Sequence, residues 1–372
     1  MIGFFRQAFD AVRGRGDAAA TVPPMDGALR PNTLLQSAQV VLRSDAPDNL
    51  VACDGETFFS SGQTVFQLEA NSGAAQPLQH FDGAVSCLAA NGAGLFAAGL
   101  ADGSLHVWGS GQESRTIPSP AGGKAACPTA LLFGDPATLI ICHGSAQNRP
   151  DSWKQDLMQN GASGSVWSIS LGGGAGRQLA DGLAYPYGLA LAQGQLIVSE
   201  SWRHRLVRIE GGAAIPVLRD LPGYPARISP AADGGFWLCV FAPRSQLIEF
   251  VLRETAYRRR MMAEIDPAHW VAPSLSHAQD FLEPMQGGAL KSHGILKPWA
   301  PTRSYGLVIR LNAQFQPIAS YHSRADGTHH GVTSCIEAGG RLLVASKGGK
   351  AILALPLTGD AMELVACPPC SP

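Results

Sequence analysis

Several stretches of the chain carry side chains whose spacing suits chemistry. Cys367-Pro-Pro-Cys370 has the gap of a redox pair or of half a metal site. No second pair stands at a suitable distance, so a frayed tail is the simpler account. His143 heads a polar loop that runs from Gly144 to Trp153 and Asp156. It reads either as a satisfied strand-end histidine or as a proton carrier working near neutral pH. His322 and Asp326 place an imidazole beside a carboxylate, which a turn with solvated side chains explains equally well. Thr328-His-His-Gly331 offers two more imidazoles for general acid–base work. Gly172-Gly-Gly-Ala-Gly176 is followed by no helix signal, so it reads as a hairpin turn and not as a phosphate cradle. No Gly-x-Ser-x-Gly, Walker loop or His-Glu-x-x-His is present.

These residues need a frame, and composition indicates which. The 372 residues include 43 Gly and 26 Pro but only 15% charged residues, which calls for many tight turns and short repeated strands. One pattern recurs: an apolar strand, a Gly-containing turn, a second strand ending in Ser, Gly or Glu, then a third strand. Copies begin at Asn49, Val85, Thr129, Gly188, Ala226 and Gly331, and the fourth, through Gln195-Leu-Ile-Val-Ser-Glu200 to Arg205-Leu-Val-Arg-Ile209, is the clearest. In the fifth copy Leu247-Ile-Glu-Phe-Val251 reads as the third strand. Such units cannot bury both faces alone, so they stack radially into an all-β, six-bladed β-propeller. Gln39-Val-Val-Leu42 or Glu363-Leu-Val-Ala366 can close the ring from the chain ends.

The spacing breaks once, across residues 253–304, where a helical run at Arg258–Ala263 precedes the Pro-rich Lys297-Pro-Trp-Ala-Pro301. This helical and Pro-rich insertion between blades five and six reads as a lid or as an oligomer contact. Residues 1–34 read as a short amphipathic helix and linker ahead of a single propeller over 35–372, and no apolar run is long enough for a membrane-spanning helix. A net charge of −1 with scattered basic residues excludes a nucleic-acid partner, and Arg258, Arg259 and Arg260 read as a solvated helix face. Cys53, Cys87, Cys142, Cys239 and Cys335 lie in apolar strand-like runs and read as buried hydrophobes of a reducing compartment, hence a cytoplasmic protein.

Gly182-Leu-Ala-Tyr-Pro-Tyr-Gly-Leu-Ala190, Asp220-Leu-Pro-Gly-Tyr-Pro225, Asp233-Gly-Gly-Phe-Trp237, Ser304-Tyr-Gly-Leu-Val-Ile-Arg-Leu311 and Gly340-Arg-Leu-Leu-Val-Ala-Ser346 together resemble the strictosidine synthase-like propellers. That family stands with the gluconolactonases, regucalcin and paraoxonases. The resemblance implies that strand starts converge on a central channel: Asp48, Asn49, Ser86, Thr129, Tyr187, Arg227, His330 and Thr333, with His143, Glu200 and Lys347 reaching in from second-strand ends. Its hydrolytic members hold a divalent cation there on oxygen ligands. Here Asp48 stands at the first-blade position, Tyr187 replaces the fourth-blade Asn, and Ala226-Arg227 replaces the fifth-blade Asp-Asn, so no metal or other cofactor is expected. The catalytic Glu of strictosidine synthase falls at or near Thr333, which makes that condensation unexpected. The resemblance therefore implies a lactone or ester hydrolase acting on a small anionic molecule, or a propeller that only binds a small molecule or protein. In the hydrolase, Asp48, His330 and Glu200 are the candidate acids and bases. Arg227, Tyr187, Asn49, His143, Thr333 and Lys347 are the candidate substrate contacts, Arg227 gripping an anion or pairing with Asp48 or Glu200 as a plug.

Overall fold

The computed structural model describes residues 22–357, apart from 70–72, 110, 121–125, 277–279, 281, 285–290, 293–294 and 297–301. Six four-stranded antiparallel sheets form the blades of a propeller. Their innermost strands are Pro47–Cys53, Val85–Ala90, Pro128–Asp135, Pro186–Ala192, Gly223–Pro230 and Val332–Ala338. The blades follow the expected alternation of apolar strand and Gly-containing turn, except that the fifth takes its third strand from further along the chain. Gly172–Gly176 indeed lies in the turn between Gly164–Ser170 and Arg177–Leu183. The sixth blade takes Val332–Ala338, Arg341–Ser346 and Ala351–Pro356 from the end of the chain and its outermost strand, Gln39–Arg43, from the start. This pairing leaves no seam in the ring. The alternative closing strand at Glu363, the N-terminal helix and Cys367/Cys370 lie outside the described residues.

Apolar side chains between neighbouring blades form the core. Leu50, Phe59, Leu343 and Ile352 join blades one and six, and Cys87, Val107, Leu131 and Ile141 join blades two and three. The six described cysteines are free and buried, as their apolar settings suggest.

The helical excursion precedes the sixth blade, and its point of departure lies inside the fifth. That sheet pairs Gly223–Pro230 and Phe236–Pro243 with Leu307–Leu311 and Pro317–His322, so the chain leaves after the second strand and returns as the third. Leu247–Val251 is therefore not a strand. It belongs to a helix, Gln246–Arg253, in which Ile248 and Val251 are buried at helical spacing while Leu247 and Phe250 face solvent. Calling Trp153–Met158 α1, we name this helix α2 and the following Thr255–Glu264 α3. Val251 and Met261 of the excursion and Leu157 and Met158 of α1 share one core cluster. Arg258 is not on a solvated face: it is buried and donates to the Leu252 carbonyl, whereas Arg259 and Arg260 are exposed. Among the described residues no helix is long and apolar enough to cross a membrane.

Candidate functional site

Every innermost strand breaks register near its start. The irregularities fall between Asp48 and Val51, Val85 and Cys87, Pro128 and Ala130, Pro186 and Gly188, Pro225 and Ile228, and Val332 and Ser334. A bulge re-aims the side chain at the break. The six residues at these breaks, Asp48, Ser86, Thr129, Tyr187, Arg227 and Thr333, come one from each blade, and all six are linked by direct contacts at the centre. Glycine permits the close approach at one of these: a Cβ on Gly188 would stand 2.6 Å from the Ala226 carbonyl oxygen and 2.9 Å from the Arg227 Cα.

Asp48 is the hub. Its Oδ1 accepts from Arg227 Nη1 at 2.7 Å, from Thr333 Oγ1 at 2.8 Å and from the Asn49 amide at 2.8 Å, and its Oδ2 accepts from Lys347 Nζ at 3.0 Å. The carboxylate is 2% exposed. Burial alone would raise its pKa, but Arg227 and then Lys347 outweigh burial and hold it below the usual carboxylate value. Lys347 is in turn held above its ordinary value, chiefly by Asp48, and keeps its ammonium. The second Arg227 nitrogen donates to the Ser86 and Thr129 carbonyls at 2.7 and 3.3 Å, and the Tyr187 ring covers the guanidinium with its centroid 4.9 Å away. One carboxylate against two cations leaves the channel centre with a single excess positive charge.

A cavity of about 60 Å³ opens over this cluster. Asp48, Ser86, Thr129, Tyr187 and Lys347 form its polar part, and Trp153, Tyr185, Trp202, Phe241 and Leu275 its apolar part. Tyr185 stacks on Trp202 with centroids 4.4 Å apart, and Trp153 meets Phe241 edge-on at 5.4 Å. Helix α1 fixes this wall. Its Asp156, 1% exposed, accepts from the Trp202 indole N–H at 2.8 Å and from Asn148 Nδ2 at 2.9 Å. Lys347 follows the second strand of blade six and keeps a third of its side chain open to solvent, so its remaining N–H groups can reach a ligand.

Asp48, Tyr187, Arg227, Thr333 and Lys347 thus converge as expected, with Thr333 and Arg227 acting through Asp48. The other candidates lie elsewhere. Glu200 is fully buried and bound by Arg203 at 2.5 Å, Arg205 at 2.6 Å and the Ala184 amide at 2.7 Å, so it clamps blade four and is no channel acid. His330 is no candidate base: its Nε2 donates to the Arg324 carbonyl at 2.7 Å, which leaves Nδ1 to accept from Ser304 Oγ at 2.7 Å. His143 does not line the cavity. It meets Ser119 Oγ at 3.3 Å, and burial pushes its pKa down to about 4. Asn49 has a left-handed backbone at φ 56° and its side-chain Nδ2 donates to Ser60 Oγ at 2.7 Å, which makes it part of the bulge and not a ligand contact. His322 is buried between Tyr305 and Ser320, not solvated in a turn.

The aromatic wall and Leu275 were not anticipated from the sequence. Tyr185 does fall inside the Tyr-Pro-Tyr motif, and Trp153 ends the polar loop after His143.

A hard divalent cation requires converging oxygen donors. Here the fourth-blade position holds a phenol over a guanidinium, and that guanidinium brings charge but no lone pair to the single channel carboxylate. These residues do not fit such a centre, and among the described residues no group of three or more His, Cys, Asp or Glu could hold a metal.

No protein-family model and no curated protein matches the chain. Solved structures do. A gluconolactonase from Xanthomonas campestris is similar with a TM-score of 0.54 at 13% identity, over 91% of this chain and 97% of that one. A putative gluconolactonase gives 0.52 at 13%, over 85% and 90%. A catalytically inactive virginiamycin B lyase from Staphylococcus aureus, solved with quinupristin, gives 0.50 at 12%, over 87% and 99%. The chain therefore shares the six-bladed architecture of gluconolactonase-type structures, a likeness of fold.

Proposed function

We propose that the channel mouth is a metal-free site hydrolysing a lactone or ester of a small anionic molecule. The observation that carries this reading is the Lys347 ammonium, fixed on Asp48 at the floor of an aromatic-walled cavity. A carbonyl oxygen lodged against that ammonium gains charge as water adds, and a pre-set cation in a site of restricted solvent stabilises the oxyanion without reorganising. Asp48 Oδ2, which bonds only Lys347 among its described partners, accepts the proton of the attacking water and returns it to the alkoxide released when the acyl C–O bond breaks. The condensation of strictosidine synthase is not part of this reading, because the position of that enzyme's carboxylate falls at or near Thr333, which donates to Asp48.

A second reading, binding without turnover, is favoured by the same cluster: a carboxylate held below its ordinary value by two cations is a weak base. Hydrolysis of five- and six-membered lactones and aryl esters in excess chelator separates the two. Turnover should survive chelator, and K347M should lower kcat/KM by about 10²–10³-fold. Carboxylate binding without turnover would leave the binding reading, and chelator-abolished turnover would overturn both.

A further inference from the structure

A second cavity, of about 400 Å³, lies between α1 and the excursion from blade five. Trp153, Lys154 and Gln155 of α1 line it together with Ala268, Trp270 and Leu275. Trp153 and Leu275 also wall the channel cavity, so the two spaces share a partition made of two side chains. Their sizes are complementary. The inner space of about 60 Å³ takes only a compact head group, whereas the outer one falls in the roughly 300–1,000 Å³ range of small-ligand sites. Their chemistry is complementary too: excess positive charge inside, and two indoles with one cation, Lys154, and one carboxylate, Asp151, outside. Burial, reinforced by Arg303, draws the Lys154 amine down to about 8, so it remains mostly protonated at neutral pH.

The partition is held by the fold. The Ser274 amide donates to the Arg303 carbonyl at 2.9 Å, and the Leu275 carbonyl sits against Gly331 and Gly348, where any Cβ would collide with it. Those two glycines flank the backbone bond from Lys347 N to Gly331 O at 3.0 Å. Leu275 is thus seated on the same turn that presents the Lys347 ammonium.

We infer that the two cavities are halves of one ligand site, which takes a carboxylate or lactone head at Lys347 and an aromatic or alicyclic body between Trp153 and Trp270, with Leu275 setting the length of the link between them. This rests on the reading of the channel mouth as a site for small anionic molecules. The test is calorimetric binding of acetate, phenylacetate, 3-phenylpropionate and 5-phenylpentanoate to the wild-type chain, K347M and L275W. Affinity should rise about tenfold or more from acetate to the best phenylalkanoate, since the ring leaves water for an indole-lined space. L275W should abolish that rise, and K347M should weaken every member, acetate included. If affinity is independent of the tail, or L275W keeps the rise, the divided site is overturned and the anion site stands. If no member binds, or K347M binds as well as the wild type, the anion site fails and the inference fails with it. Should L275W not fold, L275A replaces it: a widened passage should favour branched 2-phenylpropionate over 3-phenylpropionate relative to the wild type, and an unchanged preference overturns the proposal.

Discussion

Removing the Asp48 carboxylate would leave Arg227, whose side chain is 13% exposed, without its counter-charge, while Lys347 could still turn toward solvent. D48N is therefore expected to cost about 3–5 kcal/mol, the usual penalty for stranding one partner of a buried ion pair, as read from denaturation midpoints. A loss under about 1 kcal/mol would show that Arg227 finds other compensation. The pH dependence has a definite sign. Asp48 has a folded pKa below its ordinary 3.8, so the unfolded chain takes up the proton first. Its stabilisation is complete above that value and disappears as pH falls below it, and D48N should lack this part of the acid loss. Glu249 shares the trend: burial raises its pKa, but His204 and Arg244 outweigh that and hold it at about 2. At this scale the sequence was informative where strand starts carry the chemistry, as for Asp48, Tyr187, Arg227 and Thr333. It misled where a polar residue's role depends on its local partners, at the end of a strand for Glu200 and just ahead of one for His330. For Glu200 the partners were visible as Arg203 and Arg205 just downstream. For His330 they are Ser304 and the Arg324 carbonyl, which the fold brings together and spacing cannot show.

The elements that matter most are the six bulged strand starts and the excursion packed over them. A bulge leaves no compositional mark, so the repeat could locate the strands without revealing why these positions aim inward. The misreading of Leu247–Val251 has a similar origin, because a five-residue apolar run fits a strand as well as a helix until burial separates Ile248 and Val251 from Leu247 and Phe250. The seating of the excursion on blade six gives a sharp prediction. G348A places a methyl group where the Leu275 carbonyl now lies, so the excursion must shift. Overpacking of this kind costs about 1–3 kcal/mol, and limited proteolysis between α3 and the third strand of blade five should accelerate while the blades stay protected. Unchanged cleavage and an unchanged melting temperature would mean that Leu275 is not held there.

Across the whole molecule, six repeats and the need for a closing strand from a chain end were readable because a radial stack demands both, and of the two candidate segments Gln39–Arg43 pairs into the sixth blade. The chemistry of the axis was readable only as far as its residue types, since six blades must close before Asp48 can meet Arg227 and Lys347, 179 and 299 positions later. That closure concentrates two cations where the gluconolactonase-related resemblance implies a metal. The most direct check is calorimetric titration of calcium into the wild-type protein at neutral pH. No stoichiometric binding is expected, because a divalent ion would have to displace both Arg227 and Lys347 from Asp48, the only carboxylate lining the cavity among the described residues. One equivalent bound more tightly than about 10⁻⁴ M would contradict this expectation and return the site to the metal-dependent chemistry of that resemblance.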